Sequence, residues 1–450
     1  MLRLTAASLG GCLLGASVLL SQPAEVRAAQ PQARAVAPDP LVRVLVLQGA
    51  SMRLRPAAAA AGLQIRDGAG RVLQQLAGQV VLQAEVVNGS LQLRPLEEQP
   101  EQEQWQAREL WVEALPGAEE VDPGLWIQQR RYRGRLQLRV EAGALQVVNH
   151  VPLETYLASV VGSEMPASWP LEALQAQAVA ARTYALKQRK SAAAFDLQAT
   201  TASQVYKGVE SETPSTRAAV QATRGLVLTY NNALIDAVFH SSSGGGSTES
   251  SGDLWAKQMP YLVSVRDFDD ASPVRDWRQP LDQARLRQAF PELGGALGID
   301  VLATTPTGRI SQARVLGPTG QLALTGAQLR SRLGLKSTWV RFELAPKAAA
   351  DAAAGGLPFA GVMPPPLPLN PLTVPAPVPA QAEAVQLVAV GRGFGHGIGM
   401  SQWGALAMAQ RGESYAEILR HYYRGTALQP FNELARTAAK EDEQVLAVSR

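Results

Sequence analysis

The feature that most constrains the fold of this chain is a change of hydrophobic period. Residues 133–140 alternate between apolar and polar side chains, and residues 144–148 form a second short apolar run after a glycine turn. Both patterns predict strands. From residue 153 the apolar side chains recur three and four positions apart, as on one face of a helix, with a stop predicted at Gly162. A second helical pattern, rich in alanine, covers residues 171–185. Strands followed directly by helices predict an α+β fold.

The first 29 residues have the pattern of a secretory signal peptide. Arg3 supplies a positive charge, residues 4–20 are apolar, and residues 26–29 offer the small side chains that a signal peptidase requires. The apolar stretch is short for a membrane span, and a retained anchor is the alternative. Residues 9–12 resemble a lipid-attachment motif, but the apolar run continues past Cys12. We therefore predict export to the periplasm or cell wall. Because Cys12 is the only cysteine, we expect no disulfide or thiolate site after cleavage.

The composition of the remaining residues predicts how the chain is divided into segments. The net charge is only +3, without a block of lysine or arginine, which argues against a nucleic-acid partner. Short apolar runs between turn formers, with a hairpin signal at Asn88-Gly89, predict a small β-rich N-terminal module. Ala, Gly and Pro dominate residues 346–384, which is typical of a disordered insertion. The predicted segments are a signal peptide at 1–29, a linker at 30–40, the β-rich module at 41–130, the α+β domain at 131–345 and 385–430, the insertion at 346–384 and a polar tail at 431–450.

Four motifs follow one another in the larger domain. Residues 151–185 contain Gly162-Ser-Glu-Met-Pro, residues 240–249 read His-Ser-Ser-Ser-Gly-Gly-Gly-Ser-Thr-Glu, residues 334–338 read Gly-Leu-Lys-Ser-Thr, and residues 391–405 read Gly-Arg-Gly-Phe-Gly-His-Gly-Ile-Gly-Met-Ser-Gln-Trp-Gly-Ala. In this order the motifs resemble those of the SpoIID/LytB family. The resemblance covers about residues 133–426, broken only by the insertion. It implies a SpoIID-like α+β catalytic domain, and the N-terminal module lies outside it.

The resemblance implies an enzyme that acts on bacterial peptidoglycan. Some members of the family are lytic transglycosylases, which cut MurNAc-GlcNAc bonds in glycan strands already stripped of stem peptides; others are described as enhancers of a cell-wall amidase. Carried over by motif, the catalytic glutamate is Glu164 in Gly-Ser-Glu-Met-Pro. A single carboxyl suffices, because it can protonate the glycosidic oxygen and then take the proton of the muramic C6 hydroxyl.

The immediate surroundings of Glu164 bear on that role. It is predicted to lie in a turn between two helices, where Met165 and Pro166 would form an apolar rim that raises its pKa. The alternative is a solvated loop glutamate. Glu154 and Glu172 are interpreted as acids in the first turns of the two helices, where a negative charge favours the helix dipole.

Two arginines are candidates for binding the anionic part of such a substrate. Removal of the stem peptide leaves the lactyl carboxylate of muramic acid free, and a guanidinium can bind a carboxylate through two parallel hydrogen bonds. Arg182 lies on the second predicted helix, and Arg392 lies in the last motif. For Arg182 the alternative is an internal ion pair that braces the helix.

The remaining candidates lie in or beside the motifs. His240 and His396 are each followed by small residues, so we predict that both segments form walls of a glycan cleft. A structural histidine is the alternative for each. Aromatic faces can stack on sugar rings, although such side chains more often belong to a core. The predicted substrate-binding residues are Arg182, Tyr206, His240, Ser241, Arg392, His396, Ser401, Gln402 and Trp403, with Trp255 as a further aromatic candidate.

No metal or cofactor is predicted. Some members of the family hold zinc with a histidine at the position of His240 and with cysteines just downstream, where this chain has only serine and glycine.

The first functional hypothesis is an exported lytic transglycosylase whose partner is the peptidoglycan glycan strand. The second is a non-catalytic enhancer or recruiter of a cell-wall amidase. A hydrolase that leaves reducing ends and a plain binding protein are the others. Membrane contact is expected only through an uncleaved N-terminal segment.

Overall fold

The computed structural model of the chain describes residues 39–57, 62–96, 104–115, 124–255, 257–346 and 385–434. The predicted signal peptide and nearly all of the linker lie outside these residues, as do residues 347–384 of the predicted insertion and the polar tail from residue 435. Within the described ranges, no helix combines the length and the apolar character needed to cross a membrane.

Strands dominate the first part of the described chain. They are β1 (Leu41–Gly49), β2 (Ser51–Pro56), β3 (Gly62–Asp67), β4 (Val72–Leu76), β5 (Leu82–Val87), β6 (Ser90–Pro95), β7 (Trp105–Ala107), β8 (Glu109–Leu115), β9 (Leu125–Ile127), β10 (Arg130–Tyr132), β11 (Arg135–Glu141), β12 (Ala144–Pro152) and β13 (Leu197–Gln198). A seven-stranded sheet has the order β13-β1-β12-β11-β8-β3-β4, and a six-stranded sheet has the order β10-β9-β2-β5-β6-β7. Alternate side chains such as Val42, Val44 and Leu54 are buried, and the two sheets share one core.

These strands confirm two predictions made from the sequence. β11 and β12 pair antiparallel around the turn at Gly143. At Asn88-Gly89 the chain turns between β5 and β6 with φ angles of 50° and 76°, as a tight two-residue hairpin requires. The predicted boundary at residue 130 falls inside one sheet, because β8 pairs with β11 and β1 pairs with β12.

Helices pack against these sheets and against one another. They are α1 (Leu153–Glu164), α2 (Leu171–Gln188), α3 (Pro214–Ala222), α4 (Ser251–Leu254), α5 (Gln283–Ala289), α6 (Gly326–Leu333), α7 (Gln402–Gln410) and α8 (Tyr415–Tyr422). α1 and α2 confirm the two predicted helical patterns. Alanines such as Ala176, Ala178 and Ala181 are fully buried, so α2 packs closely against α1, α3, α7 and α8. Mixed helices and strands confirm the α+β class.

α1 continues past the stop predicted at Gly162. The glycine is instead a close-contact position, because a Cβ there would lie 1.9 Å from the carbonyl oxygen of Ser211. The helix ends at Glu164, since the backbone at Met165 is extended and Pro166 follows. Glu164 is therefore the last residue of a helix, whereas the sequence predicted a turn.

The remaining strands lie later in the chain, and some of them build a second core. They are β14 (Leu226–Tyr230), β15 (Ala233–Leu234), β16 (Phe239–His240), β17 (Asp276–Leu281), β18 (Gly298–Thr304), β19 (Ile310–Gly317), β20 (Gly320–Thr325), β21 (Val340–Pro346), β22 (Val385–Arg392), β23 (Met400–Ser401) and β24 (Ala427–Pro430). Sheets β17-β22-β21 and β18-β19-β20 pack with α5 and α6 around Trp277, Phe290 and Leu333. We call residues 276–346 and 385–392 the second lobe, and the other described residues the first lobe.

Three short pairings bring the sequence motifs together. β16 runs parallel to β23 with His240 opposite Ser401. Isolated bridges join Ser242 to Phe394 within the first lobe, and Gly395 to Ser337 of the second lobe. Motifs that are distant in the sequence therefore meet where the two lobes adjoin.

Candidate functional site

A cleft of about 600 Å³ opens where the motifs meet. Its walls come from the end of α1, residues 201–205, β16 and the glycine-rich segment before β23, with one side chain from α6. The lining residues are Glu164, Tyr184, Thr201, Ala202, Ser203, Val205, Val238, Phe239, His240, Ser241, Trp255, Arg330, Phe394, Gly395, His396 and Gln402. A groove of about 630 Å³ on the six-stranded sheet has no carboxyl group among its described lining residues. The cleft of the motifs is therefore the better candidate for acid/base chemistry.

Glu164 lies partly buried in this cleft, and both of its carboxyl oxygens are held. The backbone N–H of Val205 donates to Oε1 at 2.8 Å, and the side-chain amide of Gln402 donates to Oε2 at 3.3 Å. Burial raises the pKa of Glu164, against the opposing effects of these two hydrogen bonds and of the positive charge of Lys207. Burial disfavours the charged form, so the carboxyl holds its proton to a higher pH than a solvated glutamate does.

The start of α7 positions Gln402 for this contact. Ser401, which precedes it, is fully buried and caps the helix by accepting a hydrogen bond from the N–H of Gly404 at 3.2 Å. The prediction that Ser401 contacts substrate is therefore wrong: its hydroxyl fixes the helix that carries Gln402. Gln402 lines the cleft, and its predicted contact with substrate stays a prediction.

The two motif histidines lie side by side in the cleft wall, with ring centroids 5.5 Å apart. His240 has its Nδ1 3.2 Å from the carbonyl oxygen of Ile398 and its Nε2 3.0 Å from the Ser243 hydroxyl. Nδ1 of His396 accepts the N–H of Ile398 at 3.1 Å. Burial, followed by nearby positive charge, lowers the pKa of His396 to about 4; burial also lowers the pKa of His240. Both rings are therefore neutral near pH 7.

Among the residues that the structure describes, neither Glu164 nor a metal ligand set is linked to these rings. In the described chain no hydrogen bond joins His396 to Glu164. No group of three or more His, Cys, Asp or Glu residues in the described ranges could hold a metal ion. Both ring nitrogens of His240 already have protein partners.

The glycines around His396 let the backbone approach other groups closely. The close approach that the structure shows is to protein. A Cβ on Gly395 would lie 2.6 Å from Cβ of His240, and one on Gly397 would lie 2.5 Å from Cζ of Arg309. Arg309 is itself buried beside Glu249, with its Nε 3.5 Å from Oε1. The glycine-rich segment thus closes the back of the cleft.

Arg182 is not in the cleft. Its side chain is fully buried, and its guanidinium forms a bidentate ion pair with the carboxylate of Glu154, with distances of 2.8 and 2.7 Å. It also donates to the carbonyl oxygens of Leu226 and Val220. The prediction that Arg182 binds a carboxylate of the substrate is wrong, because no ligand reaches it; the alternative, an internal brace between α2 and α1, is the observed role.

Tyr206 and Arg392 also lie away from the cleft lining. Tyr206 is buried, donates its hydroxyl to Asn149 at 2.9 Å and packs on Tyr156, so it belongs to the core. Arg392 pairs with Asp276 at 2.9 Å and covers the ring of Trp339. The predicted substrate contact of Tyr206 is therefore wrong, because its side chain is buried; that of Arg392 stays a prediction.

The remaining predicted residues have mixed positions. Ser241 lines the cleft, and its carbonyl oxygen accepts the N–H of Trp403 at 3.1 Å. Trp403 packs edge-on against Trp169 at 5.1 Å and is not among the cleft-lining residues. Trp255 does line the cleft, with its ring 5.9 Å from that of His396.

Two functional groups were missed at the level of sequence. One is the backbone N–H of Val205, which no side-chain pattern can indicate. The other is Arg330 in the last turn of α6, whose side chain lines the cleft and whose Nε donates to the carbonyl oxygen of Leu335 at 3.2 Å. The only indication of Arg330 in the sequence was its position shortly before the Gly334 motif.

Comparison with known proteins gives the same assignment as the motifs. Residues 141–230, which include Glu164, match the sequence profile of SpoIID, described as stage II sporulation protein. The chain is 32% identical over 308 residues to stage II sporulation protein D of Bacillus subtilis (strain 168), with 63% of this chain and 76% of that protein covered. The corresponding protein of Bacillus amyloliquefaciens is 33% identical, with 62% and 74% covered.

A third relative is longer. The chain is 32% identical over 298 residues to the amidase enhancer of Bacillus subtilis (strain 168), covering 61% of this chain but only 40% of that protein. Since the matches to stage II sporulation protein D extend over about three quarters of that protein and include the segment that carries Glu164, this chain belongs to the SpoIID family.

Proposed function

We propose that this protein is an exported lytic transglycosylase that cleaves MurNAc-GlcNAc bonds in peptide-stripped glycan strands. The observation that carries the proposal is a partly buried carboxyl, Glu164, with a raised pKa in a cleft built by the family motifs. Among the described residues that line the cleft, Glu164 is the only one with a carboxyl group. A reaction that needs only one acid/base group fits this arrangement better than hydrolysis by a carboxyl pair does.

The first step uses the protonated form of Glu164. It donates its proton to the glycosidic oxygen as the bond from that oxygen to C1 of the muramic residue breaks, which leaves the departing sugar with a hydroxyl. Gln402 holds Oε2 at 3.3 Å, more loosely than Val205 holds Oε1 at 2.8 Å. Oε2 is therefore the oxygen better placed to carry the proton.

The second step uses the carboxylate that remains. It takes the proton of the C6 hydroxyl while that oxygen bonds to C1 of the same muramic residue, giving a 1,6-anhydro ring and restoring the acid. No water is consumed. The N–H of Val205 and the amide of Gln402 stabilise the charged form during this interval. His240 and His396, both neutral, do not compete as proton donors.

The test uses purified protein from residue 30 onward with glycan strands stripped by an amidase, and intact peptidoglycan in parallel. Mass spectrometry should find 1,6-anhydromuramic ends from the stripped strands. Glu164→Gln should reduce their rate of formation by about 10²- to 10⁴-fold, the usual contribution of a general acid/base. Glu141→Gln, which changes an exposed acid at the β11–β12 hairpin, is the matched control and should remain active. Reducing ends in place of anhydro ends would mean hydrolysis.

A second candidate function is stimulation of a cell-wall amidase, which is favoured by the name of the amidase enhancer relative. Under this hypothesis the folded protein would release no glycan fragments but would accelerate an added amidase. Glu164→Gln should then stimulate the amidase as well as the unchanged protein does.

A further inference from the structure

The cleft that holds Glu164 does not end at the first lobe. A second pocket of about 510 Å³ adjoins it, lined mainly by α6 and by the Gly334 motif of the second lobe. Trp255, Arg330 and His396 line both spaces. A ligand longer than the first space would therefore pass directly over these three side chains.

Arg330 is the one cation among the described residues that line the cleft. It is partly buried, and in the described chain no carboxylate lies within ion-pair distance of it. Other arginines nearby differ: Arg309 pairs with Glu249, and Arg332 on the same helix pairs with Glu292. Within the described chain, Arg330 donates one side-chain hydrogen bond, from Nε to the carbonyl oxygen of Leu335. The terminal guanidinium nitrogens thus have donors to offer to a ligand.

The surroundings of Arg330 favour an anion over a neutral ligand. Burial alone lowers its pKa, and a guanidinium stays protonated under such conditions. The neighbouring His240 and His396 are neutral, and Asp253, which lines the adjoining pocket, forms no ion pair with Arg330 in the described chain. A desolvated cation without a partner is unfavourable, and an incoming carboxylate would relieve that cost through two parallel hydrogen bonds.

We propose that Arg330 binds the free lactyl carboxylate of a muramic residue and thereby selects strands from which the stem peptide has been removed. This inference rests on the proposed function, because it assumes a peptidoglycan strand in the cleft. When the peptide is present, the lactyl carbonyl is part of an amide, which carries no charge and adds bulk. Arg330 is thus a specificity-determining residue, whereas Glu164 performs the chemistry.

The experiment measures binding in the Glu164→Gln background, so that no cleavage intervenes. One set of stripped strands keeps its lactyl carboxylates, and a matched set has them converted to methylamides. Calorimetry should give a preference for the carboxylate strands of about 10- to 100-fold, as expected for charge-assisted hydrogen bonds. Adding Arg330→Gln should abolish that preference and leave the affinity for the methylamide strands unchanged. Arg332→Gln, on the same helix but paired outside the cleft, should retain it.

Each other outcome overturns the inference. A preference that survives Arg330→Gln would place the anion elsewhere, and an equal loss of affinity for both strand types would mean that Arg330 only supports the fold. If Arg330→Gln does not fold in a thermal unfolding control, Arg330→Lys replaces it. That variant keeps the charge but cannot form the two-pronged contact, so it should lower the preference several-fold; an undiminished preference would contradict the proposal.

The result is separable from the test of the transglycosylase reaction. A preference that depends on Arg330, in a protein that releases no anhydro ends, would refute the proposed reaction and keep the carboxylate site. Anhydro ends formed equally from carboxylate and methylamide strands would keep the reaction and refute the role of Arg330.

Discussion

The two lobes contribute different kinds of group to the cleft. The first lobe provides Glu164, fixed by a backbone N–H and a side-chain amide, beside two neutral histidines. The second lobe provides Arg330, a cation on an eight-residue helix. Residues 141–230 match the family profile and include Glu164 but not Arg330. Glu164 and Arg330 therefore stand on separate cores, so under the two proposals above the preference for substrate could change without a change in the acid.

Arg182 of the first lobe is buried away from any ligand, and removal of its ion-pair partner tests this with the largest expected loss of stability. Glu154→Ala would leave its buried guanidinium without a counter-charge, and we expect a loss of about 3–5 kcal/mol in the free energy of unfolding. Denaturant titration measures it. Glu413→Ala removes an exposed partner of Arg411 and should cost less than about 1 kcal/mol. A Glu154→Ala protein as stable as the original would mean that solvent reaches Arg182, and it would again become a candidate for ligand binding.

Acid should lower the stability of the protein by a smaller amount, and this effect tests whether His396 is neutral. The pKa of His396 in the folded protein is about 4, below its ordinary value of 6.5. Between these values the unfolded chain binds the extra proton, so stability is complete above pH 6.5 and falls as the pH drops toward 4. Between pH 7 and pH 5 this contributes at most about 2 kcal/mol.

Thermal unfolding of the protein and of His396→Gln at both pH values measures that contribution. The variant should show the smaller difference between pH 7 and pH 5. His421→Gln, which alters a histidine outside the cleft, is the control and should behave like the unchanged protein. Equal pH dependence in His396→Gln would mean that His396 is not held neutral.

Arg392, unlike Arg330, should contribute little to stability and nothing to the binding of carboxylate strands. Arg392→Gln removes an ion pair whose Asp276 partner is 67% exposed, so the free energy of unfolding should change by about 0–1 kcal/mol. Binding of carboxylate strands should not change. A loss of binding comparable to that of Arg330→Gln would show that the anion contacts both arginines.

Local pattern was sufficient for much of the fold and for three of the residues that line the cleft. Strands β11 and β12, helices α1 and α2 and the Asn88-Gly89 hairpin depend on nearby residues, and their periodicity or turn chemistry indicates them directly. Glu164, His240 and His396 were found because each lies in a motif, and all three line the cleft.

Contacts between distant segments could not be predicted from the sequence. Glu154 was interpreted as a helix-start acid, and Arg182 as either a ligand-binding cation or one half of an internal ion pair; the sequence did not indicate that the two pair with each other across α1 and α2. Helical periodicity tells which face of each helix is apolar but not which helices touch. Arg330 was missed for the same reason, since only tertiary packing brings the last turn of α6 to Glu164.

The position of β1 has a consequence for the order in which the chain can fold. Its central residue Val44 pairs with Asn149 on one side and with Leu197 on the other. The guanidinium of Arg43 reaches Asp196, 153 residues further along the chain. As the polypeptide emerges from the ribosome, β1 is therefore present long before either neighbour exists, with both of its edges unpaired. Nascent chains that stop before β12 cannot complete the seven-stranded sheet, and they expose a template for misassembly. Synthesis of this protein thus includes an interval in which β1, the first strand of the described residues, must be kept from pairing with the wrong partner.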